Sequence, residues 1–391
     1  MSINFKKINE LIRNHPYYVK NKNMYHECRT KEDFLCYPII GKKEARLIGE
    51  LSSGDITTRT SGSSGEILEI KWDSFDYFKS NISIWKKRSL HGITPNDHYV
   101  TNHAMLYNLH MIPSHHRIIT NKKSISLSKM HINDDILHGY VKHIEQVSPK
   151  WMMLQPSFAY ALGAFLKKHS KKLLSVRLIE LTGEYIDSDL IDLLQDFFPD
   201  VVLCNLYGAQ EFNTIGYGDN SNVKLFKENI YLEIVDDKGG LITKEQTEGN
   251  IVITGLLNHA MPLIRYKLGD RGVWKKQNEI ISISASRSND SLITDTCSYD
   301  GSIFLFITEK LNTIFDNAIL NFQYILEDNI LYCSFFVAQK LDAKKVEFYL
   351  KKELDKRIEH VFKHVVVNFE WNNFITESRK IKYFINKDTL R

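Results

Sequence analysis

The sequence predicts an α/β protein in two domains, a large one over residues 1–286 and a small one over residues 287–391. Three observations carry this. Helical and strand-like segments alternate from Ile136 to Phe198, which implies a parallel sheet covered by helices. Residues 223–274 change to short strands divided by turn signals such as Asp236–Gly240 and Thr247–Asn250, which implies a β-rich subdomain. After about Ala285 the order becomes strand, helix, two strands, helix, strand, the pattern of a small α+β domain. A chain of 391 residues exceeds one small domain, and its 43% hydrophobic and 25% charged content supplies an ordinary globular core.

The elements follow in order. Ile3–Arg13 has helical spacing and is broken by Pro16–Tyr18. Residues 55–60 and 66–72 read as strands, joined by a loop of small residues. A helix is expected from Trp72 to Leu90, with Phe75, Phe78, Ile82 and Trp85 on its apolar face. Then come a helix Asp134–Val147, a buried strand Trp151–Leu154 and a helix Ser157–Lys172. A strand Val176–Leu181, a helix Asp187–Phe198 and a strand Val201–Leu206 complete the alternation. In the C-terminal segment, helices are expected near Ile307–Ile314 and Ala343–Val361.

Several function classes are disfavoured. A formal charge of +4 gives no electrostatic footprint for nucleic acid. No apolar run approaches the roughly 20 residues that span a bilayer, and Met1–Lys7 lacks a signal-peptide core. Cys28, Cys36, Cys204, Cys297 and Cys333 are scattered, with no CxxC pair to signal zinc or a disulfide framework. The expectation is a cytoplasmic protein without a membrane partner.

Four segments can carry chemistry. Ser61, Gly62, Ser63, Ser64 and Gly65 form a loop whose backbone N–H groups and hydroxyls can approach an anion closely. It lacks the Gly-Lys-Ser/Thr ending and following helix of a P-loop, so by itself it is equally a surface turn. Asn205-Leu206-Tyr207-Gly208-Ala209-Gln210-Glu211 follows an expected parallel strand, where α/β proteins bind ligands. There Tyr207 can stack on a purine and Glu211 can hold Mg²⁺; a tight turn with a solvated Glu is the plain alternative. Met261–Asp270 ends in a glycine turn and a carboxylate suited to ribose hydroxyls, or simply in a turn between strands. Ile375–Tyr383 carries Lys380 and Lys382, either of which can neutralise charge growing on a phosphate, or can belong to a basic surface loop.

The order of these segments, with Gly183-Glu184 between the first two, resembles the adenylate-forming superfamily of acyl-CoA synthetases and peptide-synthetase adenylation domains. Within it the chain is most similar to the phenylacetate–CoA ligase and CapK-like branch, through Ile8–Tyr18, Asp33-Phe34, Pro38-Ile39 and Met261–Tyr266. The resemblance implies a large adenylating domain and a small mobile C-terminal domain. It implies ATP-dependent activation of a carboxylic acid, an aryl acid by expectation, to acyl-AMP with pyrophosphate release. The acyl group would then pass to the phosphopantetheine thiol of a carrier protein, or alternatively to free CoA. A nucleotide-binding protein that has lost catalysis is a third reading, of another class.

By the same resemblance, Ser61–Gly65 close over the ATP phosphates and Gly183 and Glu184 line the nucleotide and substrate cleft. Asn205, Tyr207 and Gly208 cradle adenine, Glu211 ligates Mg²⁺, Asp270 binds the ribose, Arg287 marks the hinge segment and Lys380 serves adenylation. Met105, Tyr107 and Tyr160 would flank the acid's ring, although residues of this kind are more often core, and His103 or His110 would bond a ring hydroxyl, although a lone histidine is more often structural. The chain departs from the pattern at Glu66, where Lys71 or Arg59 is the nearby compensating charge, and at Gln210, Ser286, Asn289 and Arg379. Leu292–Ser298 also lacks the glycine expected after the hinge, which is what favours a carrier protein over free CoA.

Overall fold

The computed structural model describes residues 3–60, 68–103, 117–129, 132–184, 186, 188–219, 222–285, 291–293, 298–337, 339–358, 362–369, 376–377, 380–381 and 384–387. The chain packs as two compact units, residues 1–88 with 206–288 and residues 89–205 with 289–391. Among the described residues no helix is long and apolar enough to cross a membrane.

In the first unit, Asn4 caps the helix Phe5–Asn14, whose Ile8, Leu11 and Ile12 are buried at helical spacing. His15 takes an extended conformation that ends this helix, and its imidazole accepts from the Tyr17 N–H to cap Pro16–Lys20. Tyr17, Tyr18, Tyr25, Tyr37 and Phe34 then pack in one aromatic cluster, mostly edge to face. The Tyr18 hydroxyl donates to the Pro262 carbonyl at 2.7 Å, joining the N-terminus to residues far along the chain.

The two strands expected over 55–60 and 66–72 are Ile56–Arg59 and Glu69–Trp72, and they pair antiparallel. The single helix expected from Trp72 to Leu90 is instead Ser74–Ser80 and Ile82–Ser89. Trp72 ends the strand, and Asn81 caps the first helix with both its backbone N–H and an amide donation to the Tyr77 carbonyl. Nor do Phe75 and Phe78 face the core: they are 62% and 66% exposed. Asp76 and Ser80 take the buried face, because polar partners wait there. Asp76 accepts from both the backbone and the ring of His259, and Ser80 Oγ accepts from Asn213.

The β-rich region is an antiparallel succession of Ile230–Val235, Glu248–Gly255, Tyr266–Lys276 and Ile280–Ala285, continued by Val223–Leu225 and Asn213–Gly218. All six residues of Ile230–Val235 are buried, so the strand is apolar except at Glu233. Glu233 is paired bidentately with Arg265, at 3.1 and 3.0 Å, and Arg265 also donates to the Leu35 and Tyr37 carbonyls. Burial pushes the Glu233 carboxyl up while Arg265 opposes that shift.

In the second unit, Val202–Asn205, Leu178–Leu181, Trp151–Leu154, Tyr99–His103 and Ser124–Ser128 pair in parallel, in that order. Ile118–Asn121 closes the edge antiparallel to Ser124–Ser128. The four residues of Leu178–Leu181 are all buried, as befits a central parallel strand. Helices Asp134–Val147, Pro156–Lys168 and Ser188–Phe197 cover this sheet. A Cβ on Gly163 would meet the Leu193 side chain at 3.0 Å, so the glycine allows the last two helices to approach closely.

The C-terminal part of this unit carries helices Ile303–Ile314 and Ala343–Arg357. Its sheet has the order His364–Asn368, Ile330–Val337, Ile319–Glu327, Phe384–Asn386, with the central hairpin antiparallel and both outer strands parallel to their neighbours. Asp189, at the start of Ser188–Phe197, accepts from Lys310, Lys356 and Arg357 and so ties that helix to both C-terminal helices.

Candidate active site

In the first unit, Tyr207 and Gly208 lie on the strand Val202–Ala209 rather than in a turn after Leu206. The turn begins later, at Gln210 and Glu211. Gly208 is the reason: a Cβ there would meet the Asn213 carbonyl oxygen at 2.6 Å, so only glycine lets the returning strand come this close.

The structure joins this strand to the Met261–Asp270 run. The Tyr207 hydroxyl donates to Asp270 Oδ2 at 2.6 Å, and Asp270 is 7% exposed. Gly269, at φ +98°, supplies the backbone conformation that sets Asp270 in place. The Tyr266 hydroxyl lies 3.3 Å from Glu211 Oε1, and Glu211 is 8% exposed. Two separate pairs, Tyr207 with Asp270 and Tyr266 with Glu211, therefore link two motifs that lie far apart in the sequence. Tyr266 stood inside the quoted run, but its role as a donor to Glu211 was not legible there. Tyr207 engages a carboxylate through its hydroxyl, a contact that its reading as a stacking platform did not anticipate.

The fit of Glu211 to Mg²⁺ follows from its surroundings. Among the described residues no three His, Cys, Asp or Glu side chains gather into a metal cage. A single buried carboxylate with one long hydrogen bond suits an ion that keeps its waters and binds substrate phosphates.

In the second unit, Leu181 is in register with Asn205, so Gly183-Glu184 and Asn205 sit at neighbouring carboxyl ends of parallel strands. This is the edge at which such sheets bind ligands. Gly183 adopts φ +79° and turns the chain out of the strand. Glu184 is held from within: Lys129 Nζ donates to Oε1 and the Ser157 N–H to Oε2, both at 2.8 Å. Ser157 opens the helix Pro156–Lys168, so the carboxylate also meets the positive end of that helix. Lys129 was missed in the sequence because nothing local marks a lysine 55 residues from its partner. Glu309, on Ile303–Ile314, is pushed up to about 7 by burial and by Glu184, against Lys129.

His103 ends the strand Tyr99–His103, its Nδ1 2.9 Å from Ser126 Oγ. Tyr160 is 7% exposed, its ring 5.1 Å from that of Phe306 with Lys310 Nζ 4.5 Å from its centroid. Its described contacts are thus with the helix Ile303–Ile314, and none is with His103. Lys380 lies on the short pair of Thr376–Glu377 with Lys380–Ile381, in register with Glu377. Ser61, Gly62, Ser63, Ser64, Gly65, Met105, Tyr107, His110, Arg287 and Lys382 lie outside the described residues. The charges proposed to offset Glu66 have other duties. Arg59 pairs with Glu69 at 2.8 Å, and Lys71 donates to the Gly49 and Ser52 carbonyls, each at 2.9 Å.

No protein-family model matches the sequence, and no curated protein matches it. Solved structures do match in fold. A 2-hydroxyisobutyryl-CoA ligase in the postadenylation state with 2-HIB-AMP aligns at a TM-score of 0.66 and 13% identity, over 99% of this chain and 89% of that one. The A-PCP structure of McyG with phenylalanyl-adenylate aligns at 0.58 and 14% identity, over 86% and 66%. An o-succinylbenzoate coenzyme A synthetase from Bacillus subtilis, with ATP and magnesium ion, aligns at 0.54 and 13%, over 94% and 80%. At this identity the likeness is one of architecture, and it establishes that the chain has the mixed α/β fold shared by these adenylate-forming enzymes.

Proposed function

We propose that this chain is an acid–thiol ligase that activates a carboxylic acid with ATP, forming acyl-AMP and pyrophosphate, and then delivers the acyl group to a thiol with release of AMP. The observation that supports the reading is that both Asp270 and Glu211, the carboxylates we assign to ribose and to metal, are held by tyrosine hydroxyls within the same unit. The fold likeness to enzymes solved with acyl- and aminoacyl-adenylates supports it independently.

In this reading Asp270 accepts hydrogen bonds from ribose hydroxyls and Tyr207 fixes its orientation. Glu211 holds Mg²⁺, which neutralises phosphate charge when bound. Gly183-Glu184, stiffened by Lys129, and Asn205 are assigned to nucleotide contacts by the resemblance in sequence. The acid carboxylate attacks the α-phosphorus, the bond to the β-phosphate oxygen breaks, and pyrophosphate leaves. Lys380 is the cation assigned to that developing charge. Positioning and charge stabilisation supply most of the rate, since no covalent enzyme intermediate is needed. The acceptor is the phosphopantetheine thiol of a carrier protein, and the acid is an aryl acid; the absence of glycine in Leu292–Ser298 favours a carrier over free CoA.

Acid-dependent exchange of labelled pyrophosphate into ATP, across aromatic, amino and short fatty acids, tests the first half. Exchange with one acid class, abolished in Lys380→Ala, is the expected result. No exchange with any acid refutes the reading and leaves a nucleotide-binding role. Acylation of a holo carrier, set against acyl-CoA formation with free CoA, decides the acceptor.

A further inference from the structure

The indole N–H of Trp72 is buried and has no hydrogen-bond partner. Trp72 itself is 2% exposed. It lines a small cavity with Ser80, Glu211, Asn229, Asn258 and Met261, leaving about 10 Å³ for the centre of a water-sized sphere. That is room for one water molecule. An unmet buried donor costs about 1–3 kcal/mol, so a group facing such a cavity calls for an acceptor within it.

The acceptors on the same cavity are also accounted for. Glu211 Oε1 receives the Tyr266 hydroxyl, and among the described residues no protein donor reaches Oε2. Asn229, 4% exposed, spends its amide N–H groups on the Ser80 carbonyl and on Thr214, which fixes its flip and leaves Oδ1 without a described donor. The residues lining this water-sized space include one with an unmet donor and two with acceptor capacity to spare, which matches a water that accepts one hydrogen bond and donates two. A cation fits poorly, because the Trp72 N–H would face it with positive charge.

We propose that a single buried water joins Trp72 Nε1 to the Glu211 carboxylate and Asn229, and that through it Trp72 is a positioning residue for Glu211. Each carboxylate oxygen has two lone-pair sites, so the water and Tyr266 can tether Glu211 from inside and still leave acceptor capacity for Mg²⁺. The metal part of this inference rests on the function proposed above; the water site does not.

Two measurements test it. A high-resolution crystal structure of the full chain should show one ordered water within about 3.2 Å of Trp72 Nε1 and of a Glu211 oxygen. An empty cavity, or the indole N–H resting on the Tyr77 ring, overturns the site. The Trp72→Phe variant keeps the ring and deletes the donor. Its crystal structure should show the Glu211 carboxylate displaced, and a carboxylate unmoved overturns the positioning role. In pyrophosphate exchange Trp72→Phe should raise the Mg²⁺ needed for half-maximal rate about tenfold, the low end for residues that orient a metal ligand, with the acid half-saturation unchanged. An unchanged Mg²⁺ response also overturns that role. A parent without exchange refutes the proposed function, while the two crystal structures still decide the water and the tether.

Discussion

Replacing Asp189 by Asn probes the joint between the helix Ser188–Phe197 and the C-terminal helices. Its Oδ2 accepts from Lys356 at 2.6 Å, Arg357 at 3.0 Å and Lys310 at 3.1 Å. Burial alone would raise this carboxyl, but Lys356 and Lys310 outweigh it and bring the pKa from 3.8 down to about 2. A depression of that size corresponds to about 2.4 kcal/mol. Asp189 is 28% exposed, so screening reduces the usable part to about 1–2 kcal/mol. Asn also leaves Arg357, 2% exposed, with Glu353 as its remaining described carboxylate. At about 2–4 °C per kcal/mol for a unit of this size, the melting temperature at pH 7 should fall by about 2–8 °C. The sign with pH is fixed by the direction of the shift. A carboxyl depressed in the fold contributes fully above its unfolded pKa and loses that contribution as pH falls toward 2. The gap between parent and Asp189→Asn should therefore be constant from pH 7 to about pH 5 and narrow below pH 4. Calorimetry at pH 7 and urea melts down to pH 3 measure it. Equal stability at pH 7, or a gap that widens in acid, would refute the reasoning.

His15 gives a second pH signature. Burial lowers its pKa from 6.5 to about 4, so the parent should lose up to about 3 kcal/mol between pH 6.5 and pH 4 through this group. His15→Asn, which can still cap Tyr17, should flatten that part of the urea-stability profile. Tyr207→Phe removes a charge-assisted bond and should cost about 1.5–3 kcal/mol, with a several-fold rise in ATP half-saturation and none for the acid. Gly208→Ala drives a Cβ against the Asn213 carbonyl and should destabilise by about 1–3 kcal/mol; a neutral result would mean that the strands part more easily than their spacing suggests.

The alternation over residues 134–206 was legible because each element has its own period. Asp134–Val147 and Trp151–Leu154 match the sequence reading residue for residue. The helix after Trp72 was misread because its apolar spacing is real but points outward, with the buried face set by Asp76 and Ser80. No local pattern announces a polar buried face whose partners, His259 and Asn213, lie more than a hundred residues away. The site divides in the same way. Asp270 and Glu211 were legible as carboxylates beside glycine turns. The Tyr207, Tyr266 and Lys129 bonds that hold the carboxylates were not, since each spans 55 residues or more.

The run Met261–Asp270 shows what such a motif encodes. Met261, Leu263 and Ile264 are core, the Pro262 carbonyl receives Tyr18, and Arg265 neutralises Glu233 while holding residues 35 and 37. Tyr266 braces Glu211, and Asp270 accepts from Tyr207. Most of the run is therefore a folding instruction, with one tyrosine–carboxylate bond at Tyr266 and another at Asp270. The departure at Gln210 falls on an exposed turn residue, outside those bonds. A chain can thus keep the ordered motifs through their packing duties while its exposed turn residues change. The resemblance in sequence order consequently weighs most for the fold, and the proposed chemistry would rest on Glu211, Asp270 and Lys380 themselves.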